Sequence, residues 1–208
     1  MRRTKQAKQQ THERIVAAAT RRFRAGGLAG VGVADVMGEA GLTHGGFYAH
    51  FASKDALVAE ACGTGLAQSR ERLIRKIQRE PVERRLAAYI DLYLSAEHRD
   101  HPEAGCVMPA LSGEVARSSQ EVRAAFTQAY NDYRDALASL LADTDNAGSS
   151  KAEASHEALV LLAGLAGTML LARAVDDPAL SERMLRVNRD YYKRAFSRHS
   201  AAEEASEQ

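Results

Sequence analysis

Residues 31–54 read VGVADVMGEAGLTHGGFYAHFASK, and this stretch decides the fold of the N-terminal part of the chain. It predicts two short helices, Val33–Ala40 and Thr43–Phe51, joined by a turn at Gly41-Leu42. Gly41 is suited to end the first helix because glycine accepts the left-handed conformation that helix ends often need. A helix, a tight glycine turn and a second helix are typical of a helix-turn-helix, whose second helix lies in a DNA major groove.

The second helix of this motif has one face for the core and one for a partner. Phe47 and Phe51 are four residues apart, so both are predicted to be buried on the same face. Thr43 is predicted to cap the helix with its hydroxyl. Gly45 and Gly46 allow a close approach to a surface, although each weakens the helix by about 1 kcal/mol. The predicted DNA-contacting residues are Thr43, His44, Gly45, Gly46, Tyr48, His50 and Lys54.

These predicted contacts divide into two kinds. Thr43 and His44 come first in the helix and are predicted to lie nearest the base edges. Tyr48, His50 and Lys54 are predicted to contact phosphates, which position a protein on the duplex without reading its sequence.

Residues 40–57, AGLTHGGFYAHFASKDAL, resemble the recognition-helix signature of TetR-family transcriptional repressors. That signature runs Ala-Gly-Val/Leu-Ser/Thr, four variable positions, Tyr, any residue, His-Phe, two residues, then Lys-Asp/Glu-x-Leu. The upstream helix His12–Gly26, with Phe23 and a closing Gly26-Gly27, matches as well, so the resemblance covers about residues 10–60. The matching residues are Ala40, Gly41, Leu42, Thr43, Tyr48, His50, Phe51, Lys54, Asp55 and Leu57.

The resemblance implies an all-α protein of about nine helices. Its N-terminal three-helix domain would carry the helix-turn-helix, and a helical domain would bind a ligand and dimerise. The implied function is a ligand-responsive repressor that binds a palindromic operator as a homodimer and is released by a small apolar or electrophilic effector. Two positions depart from the family pattern: Val31-Gly32 replaces the usual Thr or Ser cap, and Ala49 replaces a common Arg or large aromatic residue.

Composition supports a soluble helical protein. The chain has 208 residues, of which 45% are hydrophobic, with no Trp and four Pro, a mix that favours helices around a packed core. No apolar run is expected to reach the ~20 residues that span a bilayer, and the basic start MRRTKQAKQQ lacks the apolar stretch of a signal peptide. Two distant cysteines indicate reduced thiols. We therefore expect a cytoplasmic protein without a membrane partner or a cofactor.

Charge is distributed unevenly along the chain. Residues 1–54 hold nine Lys/Arg and three Asp/Glu, whereas residues 55–208 hold 19 and 24. Positive charge beside the helix-turn-helix is expected of a phosphate-binding module. The alternative is that the basic residues at the start form only a solvated tail. The predicted organisation is a DNA-binding domain at 1–54, with a disordered arm at 1–9, an effector-binding and dimerisation domain at 55–197, and a disordered tail at 198–208.

The last two predicted helices carry a signal for a partner. Glu153–Val175 is apolar on more than one face and must be buried by something. Either the rest of this chain buries it, or a second copy does, as the family resemblance implies. A final helix follows Asp177-Pro178 and also has an apolar face. The predicted interface residues are Leu159, Ala163, Gly167, Leu170, Met184 and Tyr191.

Aromatic and sulfur-containing residues are concentrated in the middle helices. Four of them are tyrosines on two predicted helices, and a dry core rarely holds so many hydroxyls that need partners. A largely apolar cavity with a few polar groups is typical of small-molecule sites, although the same residues could simply form core. The predicted effector pocket is lined by Tyr89, Tyr93, Cys106, Met108, Phe126, Tyr130, Tyr133 and Met169.

Cys106 precedes a predicted helix near Pro109, a position that favours the reactive thiolate. It could sense electrophiles, as similar cysteines do in some TetR-family regulators, or it could be an ordinary buried residue. The pattern of His98, His101 and Cys106 matches no strong zinc signature, so no metal site is predicted. Nucleotide-loop, HExxH and GxSxG motifs are absent from the sequence. An effector-independent DNA-binding protein and an all-helical enzyme are the alternatives.

Overall fold

A computed structural model describes residues 2–144 and 150–197 of the protein. Over these residues the chain forms nine α-helices and two short 3₁₀ helices and contains no strand, so the predicted all-α class is confirmed. The predicted tail at 198–208 lies outside the described residues. The elements are α1 (Arg2–Gly30), α2 (Val33–Glu39), a 3₁₀ helix (His44–Ala49), α3 (Lys54–Ile77), α4 (Val82–Tyr93), α5 (Ala96–Asp100), a second 3₁₀ helix (Pro102–Ala104), α6 (Val107–Val115), α7 (Gln120–Thr144), α8 (Lys151–Ala174) and α9 (Pro178–Ser197).

The chain divides into two compact units. Of the described residues, the first unit comprises 2–68 and 102–130, and the second comprises 69–101, 131–144 and 150–197. The division falls within α3 and within α7. The predicted boundary near residue 54, which separates DNA binding from effector binding, stays a prediction about function.

The N-terminal helix differs from the prediction. Residues 2–9, expected to be a disordered arm, are helical and continue into the rest of α1. Gly27 then interrupts α1 with φ of +74°, a conformation that favours glycine. The Glu114 carboxylate of α6 lies beside this kink and accepts a hydrogen bond from the Ala29 N–H at 2.9 Å. Glycine therefore permits the kink, and α6 stabilises it.

Apolar side chains from α1, α2, the first 3₁₀ helix and α3 form the core of the first unit. The spacing of Ile15, Ala19 and Phe23 along α1 predicts that they share one face, and all three are buried. Full burial of a side chain as large as Ile15 or Phe23 contributes about 1.5–3 kcal/mol. The short α2 and the 3₁₀ helix are thus held by tertiary packing, since segments this short are not stable alone. Their buried residues are Val36, Met37 and Phe47.

In the second unit α8 packs against α9, and α4 packs against α9. The polar sequence HRDHPEAGC at 98–106 favours a loop, but most of this stretch is helical: α5 belongs to this unit and the second 3₁₀ helix to the first. The Ser95 hydroxyl begins α5 by accepting the N–H of His98 at 3.1 Å. The Arg173 side chain of α8 donates to the backbone carbonyls of His98 and Arg99. These contacts give a short polar segment enough partners to be helical.

α8 begins with a reciprocal cap. The Ser150 hydroxyl accepts the N–H of Glu153, and the Glu153 carboxylate accepts the N–H of Ser150. Contrary to the expectation from the sequence, α8 is long and apolar enough to cross a membrane by length and composition alone. Core helices of soluble proteins have the same composition.

Candidate functional site

The turn between α2 and the following 3₁₀ helix is held from two sides. Gly41 has φ of +68°, which confirms its predicted left-handed conformation. The Leu42 N–H donates to the Met37 carbonyl at 2.8 Å and closes the end of α2. The Arg14 guanidinium of α1 donates to the carbonyl of Ala40. The turn therefore has a single geometry, and it directs the chain into the recognition segment.

The recognition segment is tighter and shorter than predicted. Residues 43–51 were expected to form an α-helix, but residues 44–49 form a 3₁₀ helix. Two adjacent glycines with poor helix propensity, in a segment of only two turns, favour this tighter form. Thr43 occupies the N-cap position, but its hydroxyl accepts no capping hydrogen bond, so that part of the prediction is wrong. The Thr43 side chain is exposed instead.

The two faces of the recognition segment differ as predicted. Phe47 and Phe51 are buried, and their rings stack with centroids 5.6 Å apart. Tyr48 is 70% exposed, and its ring lies 6.5 Å from the ring of exposed His44. Gly45 is also exposed, and no atom lies within 4 Å of the position that a Cβ would occupy. The buried face fixes the segment, and the outer face is open to a partner.

His50 is only half-exposed and turns toward α1. Its ring lies 5.9 Å from the ring of His12, and no hydrogen-bond partner among the described residues reaches its buried Nδ1. Burial lowers the pKa of His50, and the positive charges of His12 and Lys8 lower it further. The prediction placed His50 near the outer face, whereas the structure places it at the edge of the core. A phosphate contact from its outer edge stays a prediction.

Lys54 has a structural role that the sequence did not indicate. Its Nζ donates to the Leu28 carbonyl at 2.6 Å and lies 6.0 Å above the ring of Phe23. The start of α3 is thereby tied to the end of α1. Ser53 stands directly before α3, a position that predicts a cap, and its hydroxyl accepts the N–H of Ala56 at 3.0 Å. A phosphate contact by Lys54 stays a prediction, since an ammonium has three donors.

Further contacts brace the motif, and sequence periodicity carried no signal for them. His12 Nε2 lies 2.7 Å from a carboxylate oxygen of Glu60, and the His12 ring stacks on Phe51 with centroids 4.5 Å apart. Although burial acts to raise the pKa of Glu39, hydrogen bonds from Arg21 and Arg22 lower it below its usual value. These pairs join α1 to α2 and to α3.

The predicted effector-pocket residues fall into two sets. Tyr89, Tyr93, Tyr133 and Met169 are buried in the second unit, where the hydroxyls of Tyr89 and Tyr133 are 3.3 Å apart. The cavity beside them has a volume of about 10 Å³, which suits one water molecule. In the first unit Cys106 and Met108 are buried, while Phe126 and Tyr130 are half-buried, with their rings 6.4 Å apart. A chamber shared by both sets stays a prediction.

Cys106 is fully buried at the N-cap position of α6. The buried guanidinium of Arg24 donates to the carbonyl of the preceding residue, Gly105, at 2.8 Å. Positive charge and a helix N-terminus both favour a thiolate, whereas complete burial opposes it. Cys62 has no such setting, and burial raises the pKa of its thiol to about 12. The two cysteines thus differ in their electrostatic surroundings.

The last two helices present a stripe of exposed apolar residues, which we call the α8–α9 stripe. Gly167 lies on α8 within it, and no atom of the chain lies within 4 Å of the position of a Cβ there. Among the predicted interface residues Leu159, Ala163, Leu170 and Tyr191 are exposed, and Met184 is half-buried. The large exposed side chains of the stripe are Leu159, Val160, Leu170, Leu171, Leu180, Val187 and Tyr191.

An N-terminal helix-turn-helix with an exposed recognition segment, joined to further helices, defines a DNA-binding transcription regulator. Sequence profiles agree with this class. The profile for bacterial regulatory proteins of the tetR family matches residues 15–61, and the profile for the tetracyclin repressor-like C-terminal domain matches residues 82–187. The second match alone covers more than half of the 208 residues. The chain belongs to the TetR family of transcriptional regulators.

Individual relatives are more distant. YerO of Bacillus subtilis strain 168, an uncharacterized HTH-type transcriptional regulator, is 27% identical over 136 residues, which are 60% of this chain and 45% of YerO. The chain thus spans less than half the length of that relative. The reduced form of Escherichia coli NemR has a TM-score of 0.73 at 24% identity and covers 89% of this chain and 96% of NemR. Bacillus subtilis FadR in complex with stearoyl-CoA has a TM-score of 0.61 at 20% identity, and the match covers 85% of this chain and 96% of FadR.

Proposed function

We propose that this protein is a ligand-responsive repressor that binds a palindromic operator as a homodimer and is released by a small apolar or electrophilic effector. The observation that carries the proposal is the recognition segment, whose buried phenylalanines fix it while Thr43, His44 and Tyr48 remain exposed. Such a segment is suited to enter a major groove. We place its action in the cytoplasm.

Two side chains are assigned to base reading and one glycine to close approach. Thr43 and His44 stand at the start of the segment, where recognition helices meet base edges. Gly45 has open space around its missing Cβ, so the protein itself would tolerate a larger side chain there. A larger side chain would instead meet the DNA.

The test is binding to an operator selected from a random DNA pool. His44→Ala should change the preferred sequence, while Gly45→Leu should abolish tight binding and leave the thermal unfolding midpoint close to that of wild type. Arg117→Ala, which removes an exposed charge in the loop after α6, serves as the control. If both variants bind the selected operator as wild type does, the recognition segment is assigned wrongly.

A homodimer is proposed because one helix-turn-helix contacts few base pairs. Two copies related by a two-fold axis would contact half-sites about 34–36 Å apart. The α8–α9 stripe supports this proposal, since a monomer rarely exposes so many large apolar side chains together. Burial of both stripes against each other would remove them from water.

The cavity beside the predicted pocket tyrosines is too small for the proposed effector in this conformation. The cavity beside the hydrogen-bonded hydroxyls of Tyr89 and Tyr133 holds about 10 Å³, whereas ligand pockets have about 300–1,000 Å³. Entry of a ligand would therefore part α4 from α7. FadR, which has this fold, was solved with stearoyl-CoA, so the fold can hold a ligand that carries a long acyl chain.

Release of the operator would follow because the recognition segment is joined directly along the chain to α3. α3 begins at Lys54, three residues after Phe51 of the recognition segment. A ligand that shifts α3 would change the separation of two recognition segments, and a few ångströms would cost affinity. The ligand acts only through its preference for the released state, and a near-complete switch needs about 10⁴-fold preference.

The sensor residue can be tested by gel-shift titration with and without candidate effectors. Cys106 is fully buried, so a quinone or maleimide would reach its thiol only when the packing around it opens. If this thiol is the sensor, Cys106→Ser should abolish release by the electrophile while operator affinity is kept. Tyr93→Ala should abolish release by a reversible apolar ligand, if the tyrosines bind it. Variants that respond as wild type does would show that the thiol and the tyrosines are not the sensor. An effector-independent DNA-binding protein is the alternative, and a wild-type protein that no candidate effector releases from the operator would favour it.

A further inference from the structure

The first turns of α1 extend beyond the packed core. All six residues from 5 to 10 are exposed, and the first buried side chain of α1 among the described ones is Ile15. With a rise of about 1.5 Å per residue, Lys5 lies about 15 Å along the helix from Ile15. These turns continue the helix from its packed part, but their side chains are not buried against the chain. The side chains are therefore available to a partner.

The charge of this extension indicates an anionic partner. Residues 1–14 include five Lys/Arg and a single acidic residue, Glu13. Lys5 and Lys8 are exposed, and they are three residues apart on one face of α1.

Further along α1, the same face contacts the end of the recognition segment. His12 follows Lys8 by four residues, its ring stacks on Phe51 at 4.5 Å, and it lies 5.9 Å from the ring of His50. Lys8 is close enough for its charge to affect the pKa of His50. Lys8 and Lys5 thus extend outward from the end of the DNA-facing segment, one and two turns beyond His12.

We propose that the N-terminal turns of α1 form a second DNA-contacting surface, in which Lys5 and Lys8 bind phosphates of the duplex that flanks the recognition segment. This inference rests on the proposed DNA-binding function. Lysine is a point charge on a flexible stem, suited to phosphates rather than to reading bases. The contacts therefore add affinity for any sequence and strengthen the salt dependence of binding.

The experiment measures duplex binding by the full chain across a salt series, with a selected operator and with an unrelated duplex. Lys5→Ala/Lys8→Ala is compared with Arg117→Ala/Arg123→Ala, which removes the same charge from exposed positions in the loop after α6 and on α7. In the lysine variant, the fall of log K with log salt concentration should be shallower by about 1.8 units for each bound chain. Its affinity at 0.15 M salt should fall at least about tenfold, by the same factor for both duplexes, while the control keeps the wild-type slope.

Trypsin cleavage after Lys5 and Lys8 gives a second measurement, because bound DNA should protect these bonds. A lysine variant with the wild-type slope, or wild-type protein cleaved there equally fast with and without operator, would overturn the inference alone. Loss of affinity for the operator only would also overturn it, since phosphate contacts do not distinguish sequences. Wild-type protein that binds neither duplex at low salt would overturn the repressor proposal together with it.

Discussion

Replacement of Gly167 by arginine is expected to convert a dimer into a monomer without harm to the fold. No atom of the chain lies within 4 Å of the Cβ position at Gly167, so the side chain can point outward from α8. Arginine is also a better helix former than glycine, by somewhat less than about 1 kcal/mol. The folded monomer should therefore be as stable as the wild-type fold or slightly more stable.

The expected loss of dimer stability follows from the exposure of the side chains around Gly167. Leu170 is 50% exposed, Leu171 is 53% exposed and Val160 is 62% exposed. Complete burial of such a side chain is worth about 1.5–3 kcal/mol, so each has roughly 1 kcal/mol left to gain from a partner. An unpaired guanidinium buried among them costs several kcal/mol, and a two-fold interface contains two of them. A total cost of about 4 kcal/mol already raises the dissociation constant of the dimer about 10³-fold.

Sedimentation at micromolar concentration measures the change, since one chain has a mass of 22.6 kDa. The matched control is Gly113→Arg, another helical glycine with open space at its Cβ position, on α6 rather than in the α8–α9 stripe. We expect wild type and Gly113→Arg at twice the chain mass and Gly167→Arg at the mass of one chain, with weakened operator binding. A Gly167→Arg protein that sediments as a dimer, or wild type that sediments as a monomer, would refute the assignment of the interface.

Three further predictions concern the packing around the motif and the thiols. Lys54→Ala removes a hydrogen bond from an ammonium to the Leu28 carbonyl, so it should lower the free energy of unfolding by about 1.5–3 kcal/mol. In DNA binding, the plot of log K against log salt concentration should become shallower by about one unit. An unchanged denaturation midpoint would contradict the bracing role of Lys54. Gly27→Ala places a Cβ 2.6 Å from Glu114 Oε1 at a φ of +74°, so it should destabilise the protein by about 1–3 kcal/mol in thermal denaturation, whereas Gly30→Ala, with open space, should be nearly neutral. Burial raises the pKa of Cys62 to about 12 from a usual 9.0, so native protein at pH 8 should resist iodoacetamide at this residue and react only after unfolding, as peptide mass spectrometry would detect; rapid labelling of the native protein would contradict the buried placement.

Features that depend on neighbouring residues were predictable from the sequence. The left-handed Gly41, the cap at Ser53 and the start of α9 at Pro178 follow from backbone preferences and from hydrogen bonds that reach only three or four residues. The burial of Phe47 and Phe51 follows from their spacing. These signals identified the helix-turn-helix and the all-α class before any tertiary contact was known.

Contacts between distant residues were not predictable in this way. Lys54 was assigned to phosphate from the family pattern, but its ammonium binds Leu28, which lies 26 positions earlier. His50 was placed near the outer face, yet packing against His12 turns it toward the core. Periodicity describes which face of one helix is apolar, and it contains no information about which carbonyl of another helix lies within hydrogen-bond distance.

The sequence alone determined the class of protein, because a few local signals in residues 31–54 are sufficient to specify two short helices and the turn between them. Only the tertiary structure decided how much of α8 the chain buries itself and which apolar side chains are left for a partner. A helix that is apolar nearly all round has the same sequence pattern whether its own chain or a second copy buries it. The tyrosines show the same limit: their spacing puts them in the core, but only the packing of α4 against α7 brings the hydroxyls of Tyr89 and Tyr133 to 3.3 Å and leaves a cavity of about 10 Å³ beside them.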